Sequence, residues 1–188
     1  MKKYKLFIKF PYIECNEIIL RKIEAVNLED LYEIYSNENL YKYKPGSAKK
    51  SIEVVRHIIN HFERDFIKKK TIFLGIFYKE DFNKLIGVVE IFDVDKKVSM
   101  ATIGYTLNES YCGNGIATNA VKLLINFLFN EIDINRIQAY GMIENIKSIN
   151  VLERSGFTKE GTIRQGTIWT GKGIVDLDMY SILKKEYS

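Results

Sequence analysis

The 188-residue chain holds only two cysteines, two prolines, two histidines and one tryptophan, and each scarcity closes off a class of protein. Cys15 and Cys112 are too few and too far apart for a disulfide framework or a cysteine-rich zinc site. His57 and His61 stand at i, i+4 spacing, but no third ligand accompanies them, so an exposed helix face accounts for them and no metal is expected. No apolar run reaches membrane-spanning length and no charged-then-apolar leader opens the chain, which predicts a soluble, reduced, cytoplasmic protein with no membrane partner. The net charge of +4 is modest. The longest basic run, Lys68-Lys69-Lys70, ends a helix-like segment where cations complement the dipole, so no nucleic-acid partner is expected.

One local absence is more informative. Residues 110–130 contain no Asp or Glu, although a first helical turn usually attracts them. Within that stretch, Ser110-Tyr111-Cys112-Gly113-Asn114-Gly115-Ile116-Ala117-Thr118 joins a β-branched, aromatic segment (residues 101–107) to a helix-periodic one carrying Ala120, Val121, Leu123, Leu124, Phe127 and Leu128. Gly113 and Gly115 leave backbone N–H groups at the helix start open to an anion such as a phosphate. A tight turn with no ligand is the alternative, and the loop by itself leaves both open.

With 46% hydrophobic and 13% aromatic residues, the chain can bury a sizeable core as one domain over residues 1–188. Residues 4–10 alternate apolar and charged side chains and predict a leading strand before Pro11; residues 18–23 predict a stronger one. Asn27 and Ser51 are candidate caps for two helices, the second carrying Val55, Ile58, Ile59, Phe62 and Phe66 toward the core. A three-strand antiparallel meander follows (residues 71–78, 84–94 and 99–107), with turns at residues 80–83 and 95–97. After the glycine loop and its helix come a strand at residues 136–142, a helix capped by Asn145 and stopped by Gly156, and a hairpin of residues 157–169 and 174–183 around Thr170-Gly171-Lys172-Gly173. This order predicts an α+β fold.

In these residues the chain resembles the GCN5-related N-acetyltransferase (GNAT) superfamily, over nearly its whole length. Cys112-Gly113-Asn114-Gly115-Ile116-Ala117 matches the superfamily's acetyl-CoA loop except at Cys112, where Gln or Arg is usual. Ile103-Gly104-Tyr105, Asn135-Arg136, Glu144-Asn145-Ile146-Lys147-Ser148, Leu152-Glu153-Arg154-Ser155-Gly156-Phe157, Glu160-Gly161-Thr162, Gly171-Lys172, Asp176 and Tyr180-Ser181 make it most similar to the RimJ/RimL-like branch of ribosomal-protein amino-terminal acetyltransferases. A dinucleotide fold fails instead, because Thr118 stands where a third glycine belongs. The resemblance implies a mixed, mostly antiparallel sheet flanked by helices, with residues 101–107 and 136–142 parallel but splayed, so that the pantetheine arm pairs with the first of them as an added strand.

The resemblance also implies acetyl-CoA as co-substrate, held by Tyr105, Thr106 and Leu107 along the strand and by Cys112, Gly113, Asn114, Gly115, Ile116, Ala117 and Thr118 at the pyrophosphate. Asn145 and Ser148 would lie near the pantetheine and the sulfur, Ser148 donating to the leaving thiolate; a cap and a polar helix face are their structural alternatives. Thr102 and Thr167 occupy two positions where relatives often carry glutamate, and neither can take a proton. Leu152 stands where many members use a tyrosine acid. Glu90 interrupts the apolar run Gly87-Val88-Val89-Glu90-Ile91 and is the remaining candidate, as a base or an anion for a cationic acceptor, against an exposed strand residue. The expected activity is transfer of acetyl to a protein amino terminus or a small α-amine, in a monomer or homodimer. The rivals are polyamine or aminoglycoside acetylation and a non-catalytic acyl-CoA-binding domain.

Overall fold

In the computed structural model, which describes residues 5–81 and 84–187, apolar side chains of the helices pack with those of one sheet in two core clusters. The elements are β1 (Ile13–Glu14), β2 (Ile18–Arg21), α1 (Leu28–Ser36), α2 (Ile52–Ile67), β3 (Ile72–Tyr78), β4 (Leu85–Asp95), β5 (Met100–Leu107), α3 (Ile116–Asn126), β6 (Arg136–Gly141), α4 (Ile146–Arg154), β7 (Thr158–Trp169) and β8 (Gly173–Leu183). The eight strands run in the order β1-β2-β3-β4-β5-β6-β8-β7. All pairs are antiparallel except β5 with β6. The result is the α+β architecture expected, a mixed and mostly antiparallel sheet with helices on both faces. Among the described residues no helix is long and apolar enough to cross a membrane.

Helices on both sides explain why β4 begins as an unbroken apolar run rather than an alternation. Val89 and Ile91 join Ala101, Ile103, Val121, Leu124 and Leu152 in the core under α3 and α4. Val88 points to the other face and packs with Leu31, Ile34, Val55, Ile59 and Phe62 of α1 and α2. The buried positions of α2, Val55, Ile59 and Phe62, are spaced i, i+4, i+7, the stripe that a helix lays on one neighbour.

Two local expectations need correction. Residues 5–7 form a 3-10 turn, not part of a leading strand, and Tyr4 lies outside the described residues. The apolar side chains of that segment are satisfied by packing: Phe10 stacks on Phe66 with ring centroids 3.9 Å apart, and the edge of β2 is taken by β1. Asn27 stands at the start of α1 but does not cap it; its Oδ1 accepts from the Glu24 N–H at 3.1 Å and closes the preceding turn. Ser51 does cap α2, accepting from the Val54 N–H at 3.4 Å. The meander turn near residue 80 falls partly outside the described residues, at Phe82 and Asn83.

The feature that positions the site is a failure of pairing. β5 and β6 pair only at Met100–Arg136, Ala101–Ile137 and Thr102–Gln138, whereas β4 pairs with β5 as far as Leu107 and β8 follows β6 to Gly141. Beyond Thr102 the two parallel strands part, and one edge of β5 loses its ladder partner.

Candidate active site

The glycine loop sits at the end of that open edge and is held from behind by α1. Asn108 accepts from the Ser110 N–H at 3.0 Å and donates from Nδ2 to Glu33 at 2.7 Å. The Glu109 carboxylate accepts from Asn37 at 2.8 Å and from Asn39 at 3.2 Å. The Cys112 thiol approaches the Asn108 carbonyl at 3.6 Å. Gly113 and Gly115 adopt φ of +91° and +80°, a region in which a side chain is strained, so backbone conformation alone demands glycine there. A Cβ at either would meet nothing within 4 Å. Ile116, Ala117 and Thr118 open α3 with no side-chain cap and no acid in the first turn. The donors of a helix start therefore face open space beside Asn114, which fits an anionic phosphate group.

Residues 103–107 alternate between the two faces of β5. On the α4 side Tyr105 reaches Ser148: its hydroxyl lies 2.7 Å from Ser148 Oγ and 3.0 Å from the Ser148 carbonyl oxygen. Burial pushes the Tyr105 hydroxyl up to about 12, with the Ser148 bond acting the other way, so the phenol stays protonated. Asn145 caps α4, its Oδ1 accepting from the Ser148 N–H at 3.3 Å. The helix start thus holds the Ser148 backbone while Tyr105 holds its side chain. The reading of residue types anticipated Ser148 and Asn145 but used Tyr105 only as strand backbone; nothing in the local pattern announces this contact across 43 positions.

On the opposite face stand Gly104 and Thr106. Glu90 of β4 lies across from Gly104, so close that a Cβ there would fall 2.5 Å from Glu90 Oε1. Glu90 as a whole keeps intermediate exposure, between the exposed and buried readings, and desolvation raises its carboxyl above the usual range while the Lys44 ammonium pulls it back. Lys44 was not anticipated. Its Nζ donates to Thr106 Oγ1 at 2.9 Å and lies 4.7 Å from the Tyr35 ring centre. The residue as a whole keeps intermediate exposure, but its amine is deep enough that burial lowers its pKa, with Glu90 opposing. The signal available in sequence was Tyr41-Lys42-Tyr43-Lys44, an aromatic-basic alternation that begins in the last residues of a 3-10 turn (Glu38–Lys42).

A cavity of about 570 Å³ opens over this loop, lined in part by Tyr32, Tyr41, Lys42, Lys49, Lys50 and Thr170. Lys172 of the β7–β8 turn lies 5.3 Å from the Tyr43 ring centre. Of the two glutamate-replacing threonines, Thr102 is buried and accepts from Gln138 Nε2 at 3.1 Å; Thr167 sits on β7 opposite Val175. The arrangement brings an open strand edge, an uncapped helix start, a hydroxyl pair and a half-buried carboxylate together around β5.

A sequence profile for the acetyltransferase (GNAT) domain matches residues 17–158. The chain belongs to this family. The GNAT chain is 30% identical over 175 residues to the uncharacterized N-acetyltransferase YoaA of Bacillus subtilis, covering 93% of this chain and 98% of that one. It is 34% identical over 88 residues to the ribosomal-protein-serine acetyltransferase of Escherichia coli, covering 47% and 48% of the two chains. Among solved structures, the microcin C7 self-immunity acetyltransferase MccE, in complex with acetyl-CoA and AMP, superposes with a TM-score of 0.82 at 31% identity, covering 90% of this chain and 93% of that one. This GNAT protein is accordingly an N-acetyltransferase.

Proposed function

We propose that the enzyme moves acetyl from acetyl-CoA to the α-amine of a protein amino terminus or of a small molecule, across the open edge of β5. The observation that carries this reading is the division of chemistry between the two faces of one strand: Tyr105 with Ser148 on one, Glu90 over Gly104 on the other. In this reading the amides of residues 113–118 take the pyrophosphate and the free edge at Tyr105, Thr106 and Leu107 takes the pantetheine. Asn145 and Ser148 lie by the sulfur. The amine nitrogen attacks the thioester carbonyl carbon, the C–N bond forms, the C–S bond breaks and its electron pair leaves on sulfur. Ser148 donates to that thiolate and can be resupplied by the Tyr105 hydroxyl bonded to it. The proton lost by the amine goes to Glu90, directly or through water; a carboxyl raised by burial is better matched to that task than an ordinary one.

An α-amine titrates near 8 and a lysine or polyamine amine near 10.4, so the free base of the latter costs about 3 kcal/mol more to reach near neutral pH. A site with a single carboxylate suits the α-amine. The half-buried Glu90 carboxylate is also the observation that favours a second reading, a polyamine or aminoglycoside acceptor. Thiol release from acetyl-CoA, measured over a panel of α-amines, polyamines and aminoglycosides, decides between them. Calorimetry with Gly115→Asp tests the cofactor half: the added negative charge against the pyrophosphate should abolish acetyl-CoA binding in a folded protein. Unchanged affinity would refute the loop's role.

A further inference from the structure

Glu90 does not face its side of the sheet alone. Lys44 brings an ammonium into the same desolvated space from the loop between α1 and α2, and its Nζ has one hydrogen bond among the described residues, to Thr106. An ammonium carries three donors, so two remain for other acceptors. A second donor is buried next in sequence to the cavity-lining Thr170: Trp169, whose indole N–H has no partner among the described residues. Outside these, the cavity rim offers Lys42, Lys49 and Lys50 against the single carboxylate of Glu38. Glu90 and Glu38 are thus outnumbered by Lys44, Lys42, Lys49 and Lys50, which leaves a surplus of donors suited to an anion.

We infer that Lys44 determines acceptor specificity, by selecting an amine that carries an anionic group, carboxylate or phosphate, a few bonds away. The acceptor's amine lies on Glu90 and its anion on Lys44. The inference rests on the acetyl-transfer reading above and narrows it. Polyamines are disfavoured because a second ammonium would meet Lys44 where it needs an anion, and like charges at that range in a desolvated site repel strongly. Neutral α-amines bind but leave the Lys44 donors unanswered.

The test compares aspartic acid α-amide and O-phosphoserine amide with serine amide and spermidine, using wild type, Lys44→Met and Lys44→Arg. Methionine keeps an unbranched apolar stem, and thermal melting checks each fold. In wild type, kcat/KM for at least one anionic amide should exceed that for serine amide and spermidine about tenfold or more, and which amide leads assigns carboxylate or phosphate. Lys44→Met should erase the preference through KM, improving spermidine relative to the amides, and Lys44→Arg should keep much of it. A merely structural role for Lys44 would lower all four acceptors alike. Spermidine as the best wild-type acceptor, or an unchanged ratio in Lys44→Met, overturns the inference while leaving acetyl transfer intact. Should no acceptor release thiol, the transfer reading fails, and fluorescence of the sole tryptophan, Trp169, still decides: anionic amides should bind the CoA-loaded wild type at least tenfold more tightly than Lys44→Met, and equal affinities overturn the inference.

Discussion

Gly104→Ala isolates the position of the Glu90 carboxylate from its charge. An added Cβ would lie 2.5 Å from Glu90 Oε1, 2.8 Å from its Cγ and 3.0 Å from its Cδ, distances that force the glutamate to turn away. Gly104 has no positive φ, so the substitution brings no backbone strain. Turning a side chain off its preferred rotamer costs about 0.5–1.5 kcal/mol, and replacing glycine inside a strand returns about 0.5–1 kcal/mol. The net change should stay within about 1 kcal/mol, a shift in Tm of roughly 2–4 °C for a chain of this size. Activity should suffer far more. If Glu90 accepts the proton, its displacement removes on the order of a hundredfold or more from kcat. If it only binds the ammonium, loss of a charged hydrogen bond of about 1.5–3 kcal/mol raises KM roughly ten- to a hundredfold. The assay is steady-state thiol release across pH on the best acceptor, with Glu90→Gln and the double variant completing a cycle. Both changes strike one carboxylate, so the double should be no worse than the worse single. A folded Gly104→Ala protein with wild-type kcat and KM at every pH would refute the reasoning.

Ser148→Ala should lower kcat about tenfold with little change in acetyl-CoA affinity, and Tyr105→Phe should cost little more on that background; an unchanged kcat reduces Ser148 to a helix-face residue. Because burial raises Glu90, the acid limb of kcat/KM should lie above the ordinary glutamate range, and Lys44→Met, which removes the opposing charge, should move it higher still. Glu160 accepts from both Arg136 guanidinium nitrogens at 2.6 Å and from Ser181 at 2.7 Å, tying β7 to β6 and β8. These bonds hold its carboxyl down at about 2. A depressed carboxylate stabilises the fold fully above its unfolded pKa and loses that contribution as pH falls through the folded one. Glu160→Gln should therefore cost about 1 kcal/mol at pH 7, as expected for a partly exposed pair, with the deficit fading toward about pH 2. An equal deficit at both pH values, read from urea midpoints, would refute this.

What the chain determines by itself is whatever short-range chemistry decides. Gly113 and Gly115 mark an uncapped helix start because only glycine takes their positive φ cheaply, and Ser51 and Asn145 cap α2 and α4 through bonds spanning three residues. The meander, the α3 helix and the final hairpin likewise arise from neighbours in sequence. Residues 4–10 mark the limit: their period-two pattern suits a strand, but the free edge was taken by β1 and Phe10 found Phe66 instead. The parting of β5 from β6 was implied by family resemblance alone, because ladder register between strands separated by a whole helix follows from packing on both faces. Glu90 could be named from its strand, but its burial and raised pKa depend on Gly104 across the ladder and on Lys44 from a distant loop. Tyr105 with Ser148, and Lys44 with Thr106, meet across 43 and 62 positions. Such contacts have no local signature, since a side chain's hydrogen-bond partner and its desolvation are properties of the space it occupies, and only the tertiary structure decides which distant residues share that space.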